Sequence, residues 1–156
     1  MDTPEPLQAL VSELGRRMGI SQLQMDPDGG CALALDQRMT ISLQYRQAEN
    51  ELWLYADLGP TPQRTSAFYE QLLQANLFWR LTLGATLSLS GDEPPHLVLA
   101  RPVHWTSLDD TGLGAAVETF VNTVEDWQEQ LANVEDGGIA GAPPADSMEL
   151  LTRMRA

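Results

Sequence analysis

Within residues 68–89 (FYEQLLQANLFWRLTLGATLSL) the spacing of apolar side chains changes from helical to extended with almost no sequence in between. Phe68, Leu72, Ala75 and Trp79 recur at three- and four-residue intervals, which defines one face of a helix. Leu81, Leu83, Ala85, Leu87 and Leu89 then alternate with Arg80, Thr82, Gly84, Thr86 and Ser88, the two-residue repeat of a half-buried strand. So abrupt a switch leaves almost no room for a loop, and the helix must pack close to the strand that follows it.

The rest of the chain supplies more of both periods. In residues 4–18, Leu7, Leu10, Val11, Leu14 and Met18 mark the face of a first helix, with Thr3 as N-cap, Pro4 in its first turn and Gly19 as its left-handed stop. Residues 26–30 (DPDGG) have turn chemistry. A calcium loop starting at Asp26 would need a bidentate Glu at its twelfth position, and Gln37 stands there. Three strands are expected next: Cys31, Leu33, Leu35; Met39, Ile41, Leu43, Tyr45; and Leu52, Leu54, Ala56, Leu58. The connections near 36–38 and 47–50 are short enough for hairpins. Trp53 and Tyr55 fall on the second face of the third strand, where they are either a docking platform or are covered by other structure.

Thr61 and Pro62 are expected to cap and open the second helix. After a polar turn at 90–95, Leu97, Val98 and Leu99 begin a fifth strand that Pro102 ends or edges. Ser107 with Asp110 has the spacing of a capping box, ahead of the strongest helical repeat in the chain: Leu113, Val117, Phe120, Val121, Val124, Trp127, Leu131 and Val134. The expected order is α-β-β-β-α-β-β-α, an α+β domain over residues 1–135 with helices packed on a twisted antiparallel sheet. Gly137, Gly138, Gly141, Pro143 and Pro144 then make a linker, and residues 136–156 are expected to be a flexible C-terminal tail. Its segment 146–155 (DSMELLTRMR) has the make-up of a short helix with Met148, Leu150, Leu151 and Met154 as an apolar stripe. So short a helix needs a surface to fold against, either the chain's own groove or a partner protein.

Charge and chemistry narrow the function classes. Twenty-two acidic against nine basic residues, all of them Arg, give a net charge of −13. That field repels nucleic acid and anionic membrane, so neither is expected as a partner. No run is long enough to span a membrane, the first residues are acidic where a secretory signal is basic, and the lone Cys31 suits a reducing cytosol. Catalytic chemistry is nearly absent. His96 and His104 match no metal-ligand spacing, Cys31 has no neighbouring histidine, and Glu125, Asp126 and Glu129 occupy the solvent face of the last helix. No catalytic residue, metal or cofactor is expected, and an enzyme is not.

The strings LLQANLF (72–78) and GATLSL (84–89) resemble the core signature of the CesT/Tir-type class I chaperones of bacterial type III secretion systems. LWLYADLGP (52–60) is similar to that family's third strand and turn, residues 98–102 also match, and AVETFVNTVEDWQEQL within 113–131 resembles its closing helix. The likeness spans residues 4–134. The chain departs from it at 79–83, where many members are glycine-rich, and in the tail, which many lack.

The resemblance implies a homodimeric, non-enzymatic protein of the bacterial cytoplasm. It would bind the N-terminal regions of secreted effector proteins, keep them export-competent and pass them to the secretion ATPase or other export components. The acidic, leucine-rich make-up and the tail resemble the general export chaperones of plant-pathogenic bacteria (the HpaB type). The alternative is a regulatory adaptor of the same fold, which sequesters an anti-activator and couples secretion to transcription. Dimerisation in the family uses the second helix and fourth strand, here 63–79 and 84–90, which makes Phe68, Leu72, Ala75, Trp79, Ala85, Leu87 and Leu89 the interface candidates. Client binding is expected on the first helix and first three strands, with Leu7, Val11, Leu33, Ile41, Trp53 and Tyr55 as candidates.

Overall fold

The computed structural model describes residues 2–134. Its elements are α1 (Glu5–Met18), β1 (Gly30–Leu35), β2 (Met39–Arg46), β3 (Glu51–Pro60), α2 (Ser66–Ala75), β4 (Thr86–Leu89), β5 (His96–Val103) and α3 (Gly112–Ala132). Short 3₁₀ turns lie at Leu77–Trp79 and Trp105–Ser107. The expected order of helices and strands is therefore present. The strands form one antiparallel sheet in the order β1-β2-β3-β5-β4, which leaves β1 and β4 at its edges.

Cross-strand register sorts the side chains onto two faces. Leu33 pairs with Ile41, Leu43 with Leu54, Ala56 with Leu99 and Leu87 with Leu99, and all of these are buried. The core thus lies on this face, beneath α1, α2 and α3. From α3, Leu113, Val117, Phe120, Val124 and Trp127 are buried, and from α1, Leu7, Leu10, Val11 and Leu14. The Trp127 indole also donates to the Leu81 carbonyl at 3.0 Å, which ties α3 to the stretch before β4. Tyr45 and Trp105 meet edge to face with centroids 6.4 Å apart, closing the end of the core.

Turn chemistry fixes the entry to β1. Asp26 Oδ1 accepts from the Asp28 and Gly30 amides at 2.9 and 2.8 Å, a carboxylate-closed turn with no ion required. Gly19, at φ 71°, ends α1 as the pattern predicts. Pro102 lies opposite Trp53, beyond the part of β5 that β4 covers, so its missing amide interrupts no ladder there.

Four local expectations are corrected. Thr3 does not cap α1: Pro4 holds the N-cap position, and Thr3 instead gives its carbonyl to Gln8 Nε2 at 3.0 Å. Thr61 does not cap α2, because its amide is drawn to the Pro95 carbonyl; Thr65 does so, accepting from the Phe68 amide at 3.2 Å. Ser107 donates to the His104 carbonyl rather than forming a box with Asp110. Asp109 receives the Thr111 and Gly112 amides at the start of α3 instead. Those bonds, the Thr111 hydroxyl first among them, hold the Asp109 carboxyl below its usual range.

The fourth correction is the switch of period itself. α2 ends at Ala75 and β4 starts only at Thr86, so Leu81 and Leu83 are not in a strand. Phe78, Trp79, Leu83 and Gly84 have φ of 54°, 55°, 49° and 90°, the left-handed region that turns the chain repeatedly. Turn hydrogen bonds from the Thr82 and Leu83 amides to Trp79 O, and from Ala85 to Thr82 O, close the segment. The alternation of Leu81 and Leu83 with polar residues is a coincidence of a coiled turn.

Candidate functional site

The three described helices lie on one side, and no described element covers the second face of the sheet. It carries Ala32 and Ala34 from β1, Ser42 and Gln44 from β2, Trp53, Tyr55 and Asp57 from β3, Val98, Ala100 and Pro102 from β5, and Thr86 and Ser88 from β4. None of these side chains is buried. Trp53 sits opposite Pro102 and Tyr55 opposite Ala100, so the middle of the face is apolar and its flanks are hydroxyl and amide groups. Tyr55 is 38% exposed and Trp53 half-buried, with its indole N–H enclosed and without a hydrogen-bond partner among the described residues. No described helix covers this aromatic pair, and Tyr55 is the more open of the two.

The row continues to the far edge. Tyr55 faces Ala100, Ala100 faces Thr86, and the Trp79 indole reaches the Thr86 hydroxyl at 3.3 Å. Trp79 is 54% exposed. Phe78 and Leu83, near it in the chain, are also exposed, as are Leu73 and Leu89 at a small apolar cleft of about 280 Å³ between α2 and β4, lined as well by Tyr69, Leu72, Leu87 and Leu97. Large apolar side chains gathered at one edge in this way mark an interaction surface. Three of them, Phe78, Trp79 and Leu83, are held in left-handed backbone that costs an L-residue roughly 1–2 kcal/mol each.

The two sheet edges differ. At β4, Asn76 acts as a one-residue strand: its Nδ2 donates to the Leu87 carbonyl at 3.0 Å and its Oδ1 accepts from the Leu87 amide at 2.8 Å. That blocks strand pairing at the centre of this edge. β1 (GCALAL) carries no charge and no proline, the devices by which natural edges avoid added strands.

These positions revise the expected site residues. Leu7, Val11, Leu33 and Ile41 are essentially inaccessible core side chains, because the same periodicity that singles them out turns them inward. Only Trp53 and Tyr55 of that set reach the surface. Of the assembly candidates, Phe68, Leu72, Ala75, Ala85 and Leu87 are buried within the chain, whereas Trp79 and Leu89 are exposed. Leu73 and Phe78, inside the expected 63–79 stretch but not among its periodic candidates, and Leu83, outside both stretches, are exposed as well. Leu73 lies off the periodic face of α2, and the other two stand in the turn between α2 and β4.

Chemistry-bearing side chains are dispersed. His96 Nδ1 contacts Asp57 at 2.8 Å, on the sheet near the β3 bulge, and His104 is exposed at the end of β5. Burial, and then Asp26, push the Cys31 thiol up from its ordinary value, away from a reactive thiolate. Glu125, Asp126 and Glu129 are exposed on α3. Among the described residues no three His, Cys, Asp or Glu side chains gather as a metal site, and no helix is long and apolar enough to cross a membrane.

Comparison with known proteins gives concordant matches. The model of the Tir chaperone protein (CesT) family matches residues 9–128. A protein of Chlamydia pneumoniae is 34% identical over 129 residues, covering 80% of this chain and 95% of its own length. Among solved structures, the ExsC–ExsE complex contains a chain that superposes with a TM-score of 0.72 at 21% identity, over 84% of this chain and 97% of the other. The HopA1–SchA chaperone–effector complex gives 0.67 at 19% identity, over 80% and 94%. The Yersinia pestis type III secretion chaperone SycH, solved with a fragment of YscM2, gives 0.59 at 23% identity, over 76% and 96%. At these identities the structural matches establish the shared fold.

Proposed function

The chain belongs to the Tir chaperone protein (CesT) family, and from that footing we propose that it binds the N-terminal regions of secreted effector proteins in the bacterial cytoplasm and delivers them to the export apparatus. The observation that carries the reading is the open sheet face, with Trp53 and Tyr55 at its centre and an unguarded edge at β1. An extended client segment adding beside β1 gains main-chain hydrogen bonds that demand little of its sequence, and the part of the client that continues across the open face meets Trp53 and Tyr55 with its apolar side chains. Such a client stays unfolded because its backbone partners belong to the chaperone. No step in this needs a catalytic group or nucleotide hydrolysis by the chain itself.

Dimerisation belongs to the same proposal. The exposed group Leu73, Phe78, Trp79, Leu83 and Leu89 forms a self-complementary surface about a twofold axis, with the strained turn between α2 and β4 at its centre. The aromatic row then ends at the dimer interface, so that a client crossing the sheet approaches the second protomer.

The test is export itself. Removing the gene from its host is expected to abolish secretion of one or more effectors while the apparatus still assembles and unrelated substrates still leave the cell. Normal export of every effector would refute the reading. Unchanged export together with altered transcription of secretion genes would instead identify a regulatory adaptor.

A further inference from the structure

On the helical side of the molecule, away from the surfaces described so far, α1, α3 and the β1–β2 turn enclose a groove of about 880 Å³. That is near the top of the roughly 300–1,000 Å³ range of clefts that take a small ligand or a cluster of side chains. Its floor is apolar: Leu14 and Met18 from α1, Leu35 and Met39 from the hairpin, Val117 and Val121 from α3. Met18, Leu35, Met39 and Val121 are only partly buried, so the core is left incompletely covered here. Asp36, Glu118 and Glu125 stand on the rim with Arg17 and Arg38, and Arg17 is already engaged by Glu13 at 2.9 Å. The rim is therefore net acidic.

We propose that this groove is the seat of residues 146–155 of the same chain. Three features on the two sides match. First, reach: residues 135–145 span at most about 36 Å when extended, whereas Val117 lies about 25 Å back along α3 from Val134. Second, shape: at 100° per residue Met148, Leu150, Leu151 and Met154 occupy one side of a helix, while Glu149 and Arg153 form a supporting pair four apart on the other. Third, charge: Arg153 and Arg155 are the first cations after Arg101, and they follow a long acidic stretch to meet an acidic rim. A ten-residue helix is marginal alone in water, and the half-covered floor supplies the apolar surface it lacks. A seated tail is a built-in competitor: any other ligand of the groove has to displace it. This rests on the fold and not on the effector reading, and it stands or falls separately.

Hydrogen exchange by mass spectrometry on the full chain tests it. In the wild type, amides of residues 148–155 are expected to exchange at least about tenfold more slowly than a free chain, unchanged over about a hundredfold dilution. Leu151→Asp in the tail and Val121→Asp in the groove should each return them to the free rate, with Met18→Asp, at the groove's margin, standing in if Val121→Asp unfolds by circular dichroism. Free-chain exchange in the wild type would overturn the proposal. So would protection that survives the groove variants, which places the tail elsewhere, or protection lost on dilution, which places it on a second copy.

Discussion

Replacing Trp79 with glycine separates association from folding. Trp79 is 54% exposed and sits at φ 55°. A tryptophan buries up to about 250 Å², so roughly 130 Å² remains for a partner to cover. At about 25 cal/mol per Å² this amounts to about 3 kcal/mol per protomer, and twofold symmetry removes it twice. Interface area never converts in full, so half of that total, about 3 kcal/mol, is the safer figure, a rise in dimer Kd of at least about a hundredfold. The fold should hardly change. Glycine relieves roughly 1–2 kcal/mol of left-handed strain, against about 0.5–1 kcal/mol of added chain entropy and one long exposed bond to Thr86. Light scattering across a dilution series measures the first effect, and circular dichroism of the dilute variant the second. An unchanged Kd, or a monomeric wild type at micromolar concentration, would refute the assigned interface. Collapse of the dilute variant's secondary structure would mean that Trp79 belongs to the core.

Other outcomes follow from the same structure. Asn76→Ala removes both hydrogen bonds to Leu87, a loss of about 1–3 kcal/mol, and should lower the melting temperature by at least about 4 °C; no change would mean that water replaces them freely. Glu13 is held at about 2 by the side-chain hydrogen bonds of Arg16 and then Arg17, below its ordinary value of 4.5. Its folded pKa is depressed, so its stabilisation is full above about pH 4.5 and is lost as pH falls through about 2, which a carboxyl-carbon NMR titration of Glu13 will follow; a midpoint near 4.5 contradicts the pairing. Truncation after Asp136 should leave the circular dichroism of the sheet intact and lower the melting temperature by at least about 4 °C, the contribution of a seated tail, and loss of the sheet's signal would place the tail in the folded core.

How far the sequence could be read follows from what periodicity measures. α1, α3 and β1 to β3 were legible because their apolar repeats report a buried face directly, and Gly19 and the Asp26 turn because their chemistry is local. The 76–85 segment was not legible. Its left-handed positions are Phe78, Trp79 and Leu83, residues that favour other backbone, and only Gly84 signals a turn. Caps failed for a related reason, since Thr61 and Ser107 are engaged by the Pro95 and His104 carbonyl groups, which one local window does not reveal. The client candidates illustrate the limit most clearly. Leu7, Val11, Leu33 and Ile41 stood out by their period, and that period is the mark of core. An interaction surface is made of apolar residues that break the pattern or lie on its other face, as Leu73, Phe78, Leu83 and Tyr55 do.

The claim that this chain holds secreted effectors on its open sheet face is tested most directly by capture from the native host under secreting conditions, with the wild type and Tyr55→Asp compared by mass spectrometry. Tyr55 is 38% exposed and lies away from the proposed dimer surface, so its substitution should leave the dimer intact while lowering the melting temperature, and circular dichroism at the capture temperature checks that the variant is folded. The account predicts that secreted proteins, held through their N-terminal regions, accompany the wild type and are lost with Tyr55→Asp. Effectors retained equally by both would contradict the assigned face, and capture of a single transcriptional regulator with no secreted protein would contradict the function.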